Sequence, residues 1–262
     1  MSRFTESPNA VARLLRSPEH AGGGEAAAAT PTAGAVPASS SQDAGARLHR
    51  PRRIVVGIGG ASGAAYAQRV VEELVTIGVE VHLVITANGV RMLADELGIP
   101  KSNLDLLAGK QLQQSDKSPA GGRIVHYNIN DTGACLASGS FLHDGMIVVP
   151  CSSSGLGMIA AGIGANLLYR AAFVTMKERR RLVICHREMP LAHLDIDNMH
   201  RLSVAGAILA PANPGFYFVP KTVEEIVDFV AARLLDLVGI TDHGIGKRWG
   251  EDPFEPARPI DL

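Results

Sequence analysis

The chain has 262 residues, 46% of them hydrophobic, with 25 basic against 26 acidic side chains and a formal net charge of −1. So balanced a charge argues against nucleic acid or an anionic membrane as the partner, and no apolar run approaches the roughly 20 residues needed to span a bilayer. Three scattered cysteines, Cys135, Cys151 and Cys185, form no Cys-x-x-Cys pair, which excludes a disulfide framework and points to a reducing, cytoplasmic setting and small-molecule partners.

Residues 1–50 contain Gly22-Gly23-Gly24, the alanines 26–29 and Ser39-Ser40-Ser41, with almost no large apolar side chain after Leu15. They read as a disordered extension with a short helix near Ala10 to Leu15, because such a composition buries too little surface to offset ordering entropy; a signal-peptide core is absent. Residues 51–250 read as one α/β domain and 251–262 as a tail.

The domain opens on Arg53-Ile54-Val55-Val56-Gly57-Ile58-Gly59-Gly60-Ala61-Ser62-Gly63. A β-branched run passes through four glycines in seven residues into an alanine-rich helical pattern: a strand, a tight turn and a helix. Glycines there permit close backbone approach to a ligand, and the free N–H groups of the helix start favour an anion, so a phosphate is expected. The spacing misses the dinucleotide fingerprint, and the second strand ends in Thr86 where an acid would hold an adenosine ribose. Hydroxyls at Ser62 and Thr86 suit a phosphate or a flavin edge instead. The alternative is a glycine-rich connection that binds nothing.

Tyr66, Val70, Val71, Leu74 and Ile77 keep helical spacing, Gly78 stops the helix, and Val79 to Ile85 alternates into a second strand. A short helix over 90–97, a polar excursion over 100–122 with a helical turn or two, and a short strand over 124–128 follow. The next buried strand, from Gly145, runs through Pro150 and Cys151 into Ser152-Ser153-Ser154-Gly155, placing hydroxyls and N–H groups at a strand's carboxyl end; helix capping by one serine is the plainer reading. Residues 166–181 read as a helix with a basic end, on which Arg170, Lys177 and Arg181 recur on one face. The strand 182–185 ends in His186-Arg187-Glu188, an ionisable pair at the sheet's carboxyl edge. A helix over 195–205, a strand over 207–210 and a proline- and aromatic-rich loop with Phe216 and Tyr217 come next. Thr222 and Glu225 form a capping box for a last helix ending near Gly239, and the tail carries the only tryptophan, Trp249. The sum is an open parallel sheet, Rossmann-like or flavodoxin-like, with helices on both faces.

Several separated motifs resemble the flavin prenyltransferases, the UbiX-type partners of UbiD-type decarboxylases. They are Gly60-Ala61-Ser62-Gly63, Ser138-Gly139-Ser140-Phe141, Pro150-Cys151-Ser152, Leu167-Leu168 with Arg170-Ala171-Ala172, Lys177-Glu178-Arg179-Arg180, Arg187-Glu188 with Pro190-Leu191, and Phe216-Tyr217 with Pro220. The resemblance implies an enzyme that binds reduced FMN and moves a dimethylallyl group from dimethylallyl phosphate onto N5 and C6 of the flavin. The product, prenylated FMN, would serve a UbiD-type decarboxylase. By the same resemblance Gly60, Ala61, Ser62, Thr86, Ser152, Ser153, Ser154, Gly155 and Arg187 contact FMN, while Arg170, Lys177, Tyr217 and Arg233 hold the allylic phosphate. Glu188 is the acid/base, with Lys177 and Ser62 beside it in the catalytic set, and Trp249 is an aromatic wall. The family pattern needs no metal, and it implies a homo-oligomer as large as a dodecamer with sites between subunits.

The chemistry of the carried-over set is consistent, since an ionising allylic phosphate needs cations at the leaving group and an electron-rich face at the allyl fragment. The chain departs from the family at Ser154, where a lysine is usual, and at Ala165, Tyr169 and Phe173. Two other readings compete: a flavin-dependent cysteine-type decarboxylase, whose Pro-x-Met-Asn motif Pro211-Ala212-Asn213-Pro214 does not match, and a non-catalytic flavin-binding subunit.

Overall fold

The computed structural model describes residues 50–117 and 122–248, the side chains of 110–117 excepted. The extension, the tail and Trp249 therefore lie outside the described residues. Six strands form one parallel sheet: β1 Arg53–Ile58, β2 Glu80–Ile85, β3 Arg123–Tyr127, β4 Gly145–Cys151, β5 Leu182–His186 and β6 Ile208–Leu209. Their order is β3-β2-β1-β4-β5-β6, the doubly wound arrangement of two mononucleotide-binding halves. Register pairs Ile54 with Val81 and with Gly145, so β1 lies at the centre, flanked by β2 and β4.

Alternation along β1 builds the two cores. Ile54, Val56 and Ile58 bury against α1 (Ala64–Thr76) and α6 (Val223–Val238), whereas Val55 faces the cluster of α3 (Ser153–Ala160) and α4 (Leu167–Lys177). Both faces are thus covered, as a parallel sheet requires. Gly57 is small because α4 presses on it: an added Cβ would meet Leu168 at 3.0 Å. At the amino edge Glu80 is buried and accepts from Arg53 at 3.0 Å and Arg123 at 2.6 Å, with His82 at 2.8 Å. Burial opposes that charge, but the bonds from Arg123 and His82 outweigh it and hold the carboxyl below the usual range.

Local differences from the sequence reading have local causes. The helix expected from 90 is α2, Ala87–Leu97, because the Thr86 hydroxyl accepts from the Gly89 N–H and starts it earlier. The excursion over 101–117 is 3₁₀ with breaks at Asn103 and Gly109. The basic helix ends at Lys177, since Arg179 takes a φ of 56°. Arg181 consequently leaves the face of Arg170 and Lys177 and lies against Gly239 at the end of α6. The helix expected from 195 is α5, His193–Val204, with Asp195 accepting from the Ala192 N–H, and β6 keeps only two residues. Thr222 does cap α6, but the Glu225 carboxylate accepts from the N–H of Lys221 rather than of Thr222, so the box is offset by one residue.

Candidate active site

The sheet's carboxyl edge between β1 and β4 is where the chain reverses its winding, the position at which doubly wound sheets bind ligands. Three turns meet there. The first is Gly59 to Gly63, whose glycines answer to the protein's own backbone: a Cβ on Gly59 would sit 2.6 Å from the Pro150 carbonyl oxygen, to which the Gly59 N–H donates at 2.9 Å. A Cβ on Gly60 would sit 2.4 Å from that of Asn88. Gly63, at a φ of 117°, turns the chain into α1.

The anion at the start of α1 is not left to a ligand. The Glu96 carboxylate, from α2, accepts from the N–H groups of Gly63 at 3.0 Å and Ala64 at 2.8 Å. Burial works against the charge, but those two bonds, with the Ser62 hydroxyl and the nearby Arg187, hold the Glu96 carboxyl below the usual range. The sequence reading missed this residue and placed a phosphate at the same helix end. The second turn, Ser152 to Gly155, opens α3.

In that turn the Ser152 hydroxyl caps α3 by accepting from the Gly155 N–H at 3.3 Å. Ser154 is exposed, and Ser153 faces the third turn at the end of β5. There the Arg187 guanidinium donates from Nε to the Ser62 carbonyl at 3.0 Å, tying the third turn to the first. Glu188, exposed, accepts from the Ser153 hydroxyl at 3.2 Å and from the Met189 N–H at 3.2 Å. Gly60, Ala61, Ser62, Thr86, Ser152, Ser153, Ser154, Gly155, Arg187 and Glu188 are thus gathered along one edge.

The four cationic and phenolic residues expected around the allylic phosphate are not. Arg170 lies in the first turns of α4, beside Gly164. The start of α4 is fixed by the Leu167 N–H donating at 2.8 Å to Ile129, just past the carboxyl end of β3. Lys177 is two turns further on at the helix's other end, ion-paired with Glu178, near Gly139 and the start of β5. With β4 seven residues long, that amino edge lies about 20 Å from Glu188. Tyr217 and Arg233 share a third place, a cavity of about 390 Å³ between the loop after β6 and α6, lined also by Phe218, Phe229 and His243. One chain therefore presents the expected set in three regions.

The chain matches the Flavoprotein family over residues 44–235. It is 43% identical over 203 residues to the flavin prenyltransferase UbiX of Halalkalibacterium halodurans, covering 78% of this chain and 96% of that one. It is 45% identical over 197 residues to the enzyme of the same name from Thermoplasma acidophilum, covering 75% and 99%. Among solved structures, it is similar to AnUbiX (PadA1) in complex with FMN and dimethylallyl pyrophosphate, with a TM-score of 0.65 and 37% identity over 76% of this chain and 98% of that one. It is equally similar to a dodecameric FMN-dependent UbiX-like decarboxylase from Escherichia coli O157:H7, with a TM-score of 0.66 and 36% identity over 75% and 98%.

Proposed function

This chain belongs to the UbiX-type flavin prenyltransferases, and from that premise we propose that it transfers the dimethylallyl group of dimethylallyl phosphate to reduced FMN, making prenylated FMN. The observation that carries the reading is the carboxyl-edge cluster, where the hydroxyls and N–H groups of Ser152 to Gly155, the clasp of Arg187 on the glycine turn and the Glu188 carboxylate adjoin one another.

That donor set fits FMN. Exposed Ser154, the first N–H groups of α3 and the Arg187 guanidinium are donors matched to a phosphate, and Gly60, Ala61, Ser62 and Thr86 border the same edge. Bound in its reduced form, the flavin supplies nucleophilic N5 and C6, to which the five-carbon group is transferred as phosphate leaves. Glu188 is the group we assign to exchange a proton with the leaving phosphate or with the ring nitrogen. Arg170, Lys177, Tyr217 and Arg233 are the ligands we assign to the allylic phosphate, whose charge grows as its bond to carbon breaks.

Their dispersal within one chain supports a site built from more than one copy. Lys177 of one copy would then face Glu188 of another. Exposed apolar side chains at Met189, Leu191, Leu194 and Ile196, directly after Glu188, supply a surface that association would cover. The product's chemistry suits a UbiD-type decarboxylase as the consumer. No described helix is long and apolar enough to cross a membrane, and the three free cysteines accord with the reducing cytoplasm.

The test is anaerobic incubation of the full chain with reduced FMN and dimethylallyl phosphate, followed by mass analysis of the released flavin. The reading requires that the flavin gain one C5H8 unit and that one equivalent of inorganic phosphate be released. Bound FMN that is returned unchanged would favour a flavin-binding subunit instead.

A further inference from the structure

His186 is the last residue of β5, only 2% exposed, and no part of the expected site. Its Nε2 lies 3.2 Å from the Ser153 hydroxyl, and the same hydroxyl lies 3.2 Å from the Glu188 carboxylate. A second carboxylate, Asp195 at the start of α5, is also buried against Ser153, whose hydroxyl holds the Asp195 carboxyl below its usual range. A serine has one proton to donate and two lone pairs to receive. Carboxylates only accept, so the one proton of Ser153 lies on the carboxylate side, toward Glu188 in the 3.2 Å bond, and a lone pair is left for the imidazole. His186 must then present Nε2–H toward Ser153.

We propose that His186 is a positioning residue for Glu188, acting through the Ser153 hydroxyl. The imidazole N–H donates to Ser153 Oγ and fixes the hydroxyl rotor, and the hydroxyl in turn donates to Glu188 and aims its carboxylate at the reacting atoms. Hydrogen bonds in such a chain polarise one another, so the terminal bond to Glu188 strengthens when the first is made. The arrangement is not a nucleophile triad: the bonds described for Glu188 and Asp195 end on Ser153 and on main-chain N–H groups, not on the imidazole.

The groups facing His186 favour the neutral donor form. Burial pushes its pKa down, and Arg187 acts in the same sense, while Asp195 from α5 and Glu188 act against them. Cys151 of β4, its register partner, is a buried thiol whose pKa is pushed up and which stays neutral. A neutral imidazole keeps one N–H to give, which is all the chain of bonds requires.

This inference rests on the prenyl-transfer reading, and its test separates the two. His186→Leu removes the donor, whereas His186→Gln returns an N–H at similar reach. We expect His186→Leu to bind FMN normally but to slow single-turnover transfer about tenfold, a fraction of what losing a proton-transfer group costs. The carboxylate stretching band of Glu188, followed in flavin-free protein at neutral pH and identified by its loss in Glu188→Gln, should shift, because the bond it accepts from Ser153 is weakened. His186→Gln should restore both the rate and the band. Ser153→Ala, measured the same way, keeps the question answerable if His186→Leu unfolds, and it should shift the Glu188 band in the same sense. Unchanged rate and band in His186→Leu, or an unmoved band in Ser153→Ala, overturns the proposal. A wild-type protein that transfers no prenyl group overturns the functional reading instead, and the infrared band still reports on His186.

Discussion

Replacing Glu96 by glutamine tests whether the start of α1 is held by an internal anion. The change keeps the shape and one acceptor but removes the charge that receives the N–H groups of Gly63 and Ala64. Hydrogen bonds to a charged group are worth about 1.5–3 kcal/mol and a charge at a helix terminus about 0.3–1 kcal/mol. Glu96 is exposed, so solvent screens much of this, and because the amide still accepts one bond the net loss should be about 1 kcal/mol. For a domain of this size that lowers Tm by about 2–4 °C. The sign with pH follows from the depressed carboxyl: the stabilisation is complete above the usual carboxylate pKa and disappears as pH falls through the lower folded value. Melts of both proteins at neutral pH and through the acid range should therefore converge in acid. Coincident melts at neutral pH, or a deficit that persists undiminished in acid, would refute the internal-anion account.

Gly59→Ala forces a Cβ to within 2.6 Å of the Pro150 carbonyl oxygen and should cost about 3 kcal/mol, whereas Gly98→Ala meets open space at a φ of 67° and should cost about 1 kcal/mol; urea midpoints rank them. His143 is buried with its pKa pushed down to about 4, so it binds a proton in the unfolded chain first, and stability should fall as pH drops from about 6.5 toward 4. His143→Asn should flatten part of that decline, although His82 and His186 are displaced in the same direction and keep the rest. Glu188→Gln should retain flavin yet slow transfer about 10²–10⁴-fold, and Lys177→Ala should also be impaired. Co-assembled from equal amounts, the two variants should recover about a quarter of the sites if Lys177 and Glu188 come from different copies, and none if one chain supplies both.

Period and punctuation made the architecture readable. The β-branched runs of β1 and β4, the stop at Gly78 and the caps at Ser152 and Thr222 are local signals, and each marks an element of the sheet or its helices. What escaped was non-local. Glu96 lies 33 residues beyond Gly63 on an amphipathic helix, where an acid looks like a solvated face, so its reach to α1 has no local mark. The break after Lys177 depends on Arg179 in the left-handed region, a conformation that arginine does not advertise. Motif matching assembled Arg170, Lys177, Tyr217 and Arg233 into one list, but a list carries no information about which copy of a chain supplies each member. In the sequence Ser153 reads only as a flavin contact and His186 only as a strand end; their 3.2 Å approach is what joins them.

The bond from Arg187 to the Ser62 carbonyl joins residues 125 positions apart. Closing so long a loop costs entropy that is recovered only when the strands between are in place, and parallel pairing of this span is slow for the same reason. A chain that ends with β3 lacks both the Pro150 carbonyl that receives the Gly59 N–H and the Arg187 guanidinium that clasps the turn. The turn acquires its guanidinium, and with it the neighbouring Glu188, only after β5 has been made and docked beside β4. Completion of this edge is thus a late event in the life of the chain, and a truncated protein that ends before β5 lacks the Arg187 clasp and Glu188 altogether.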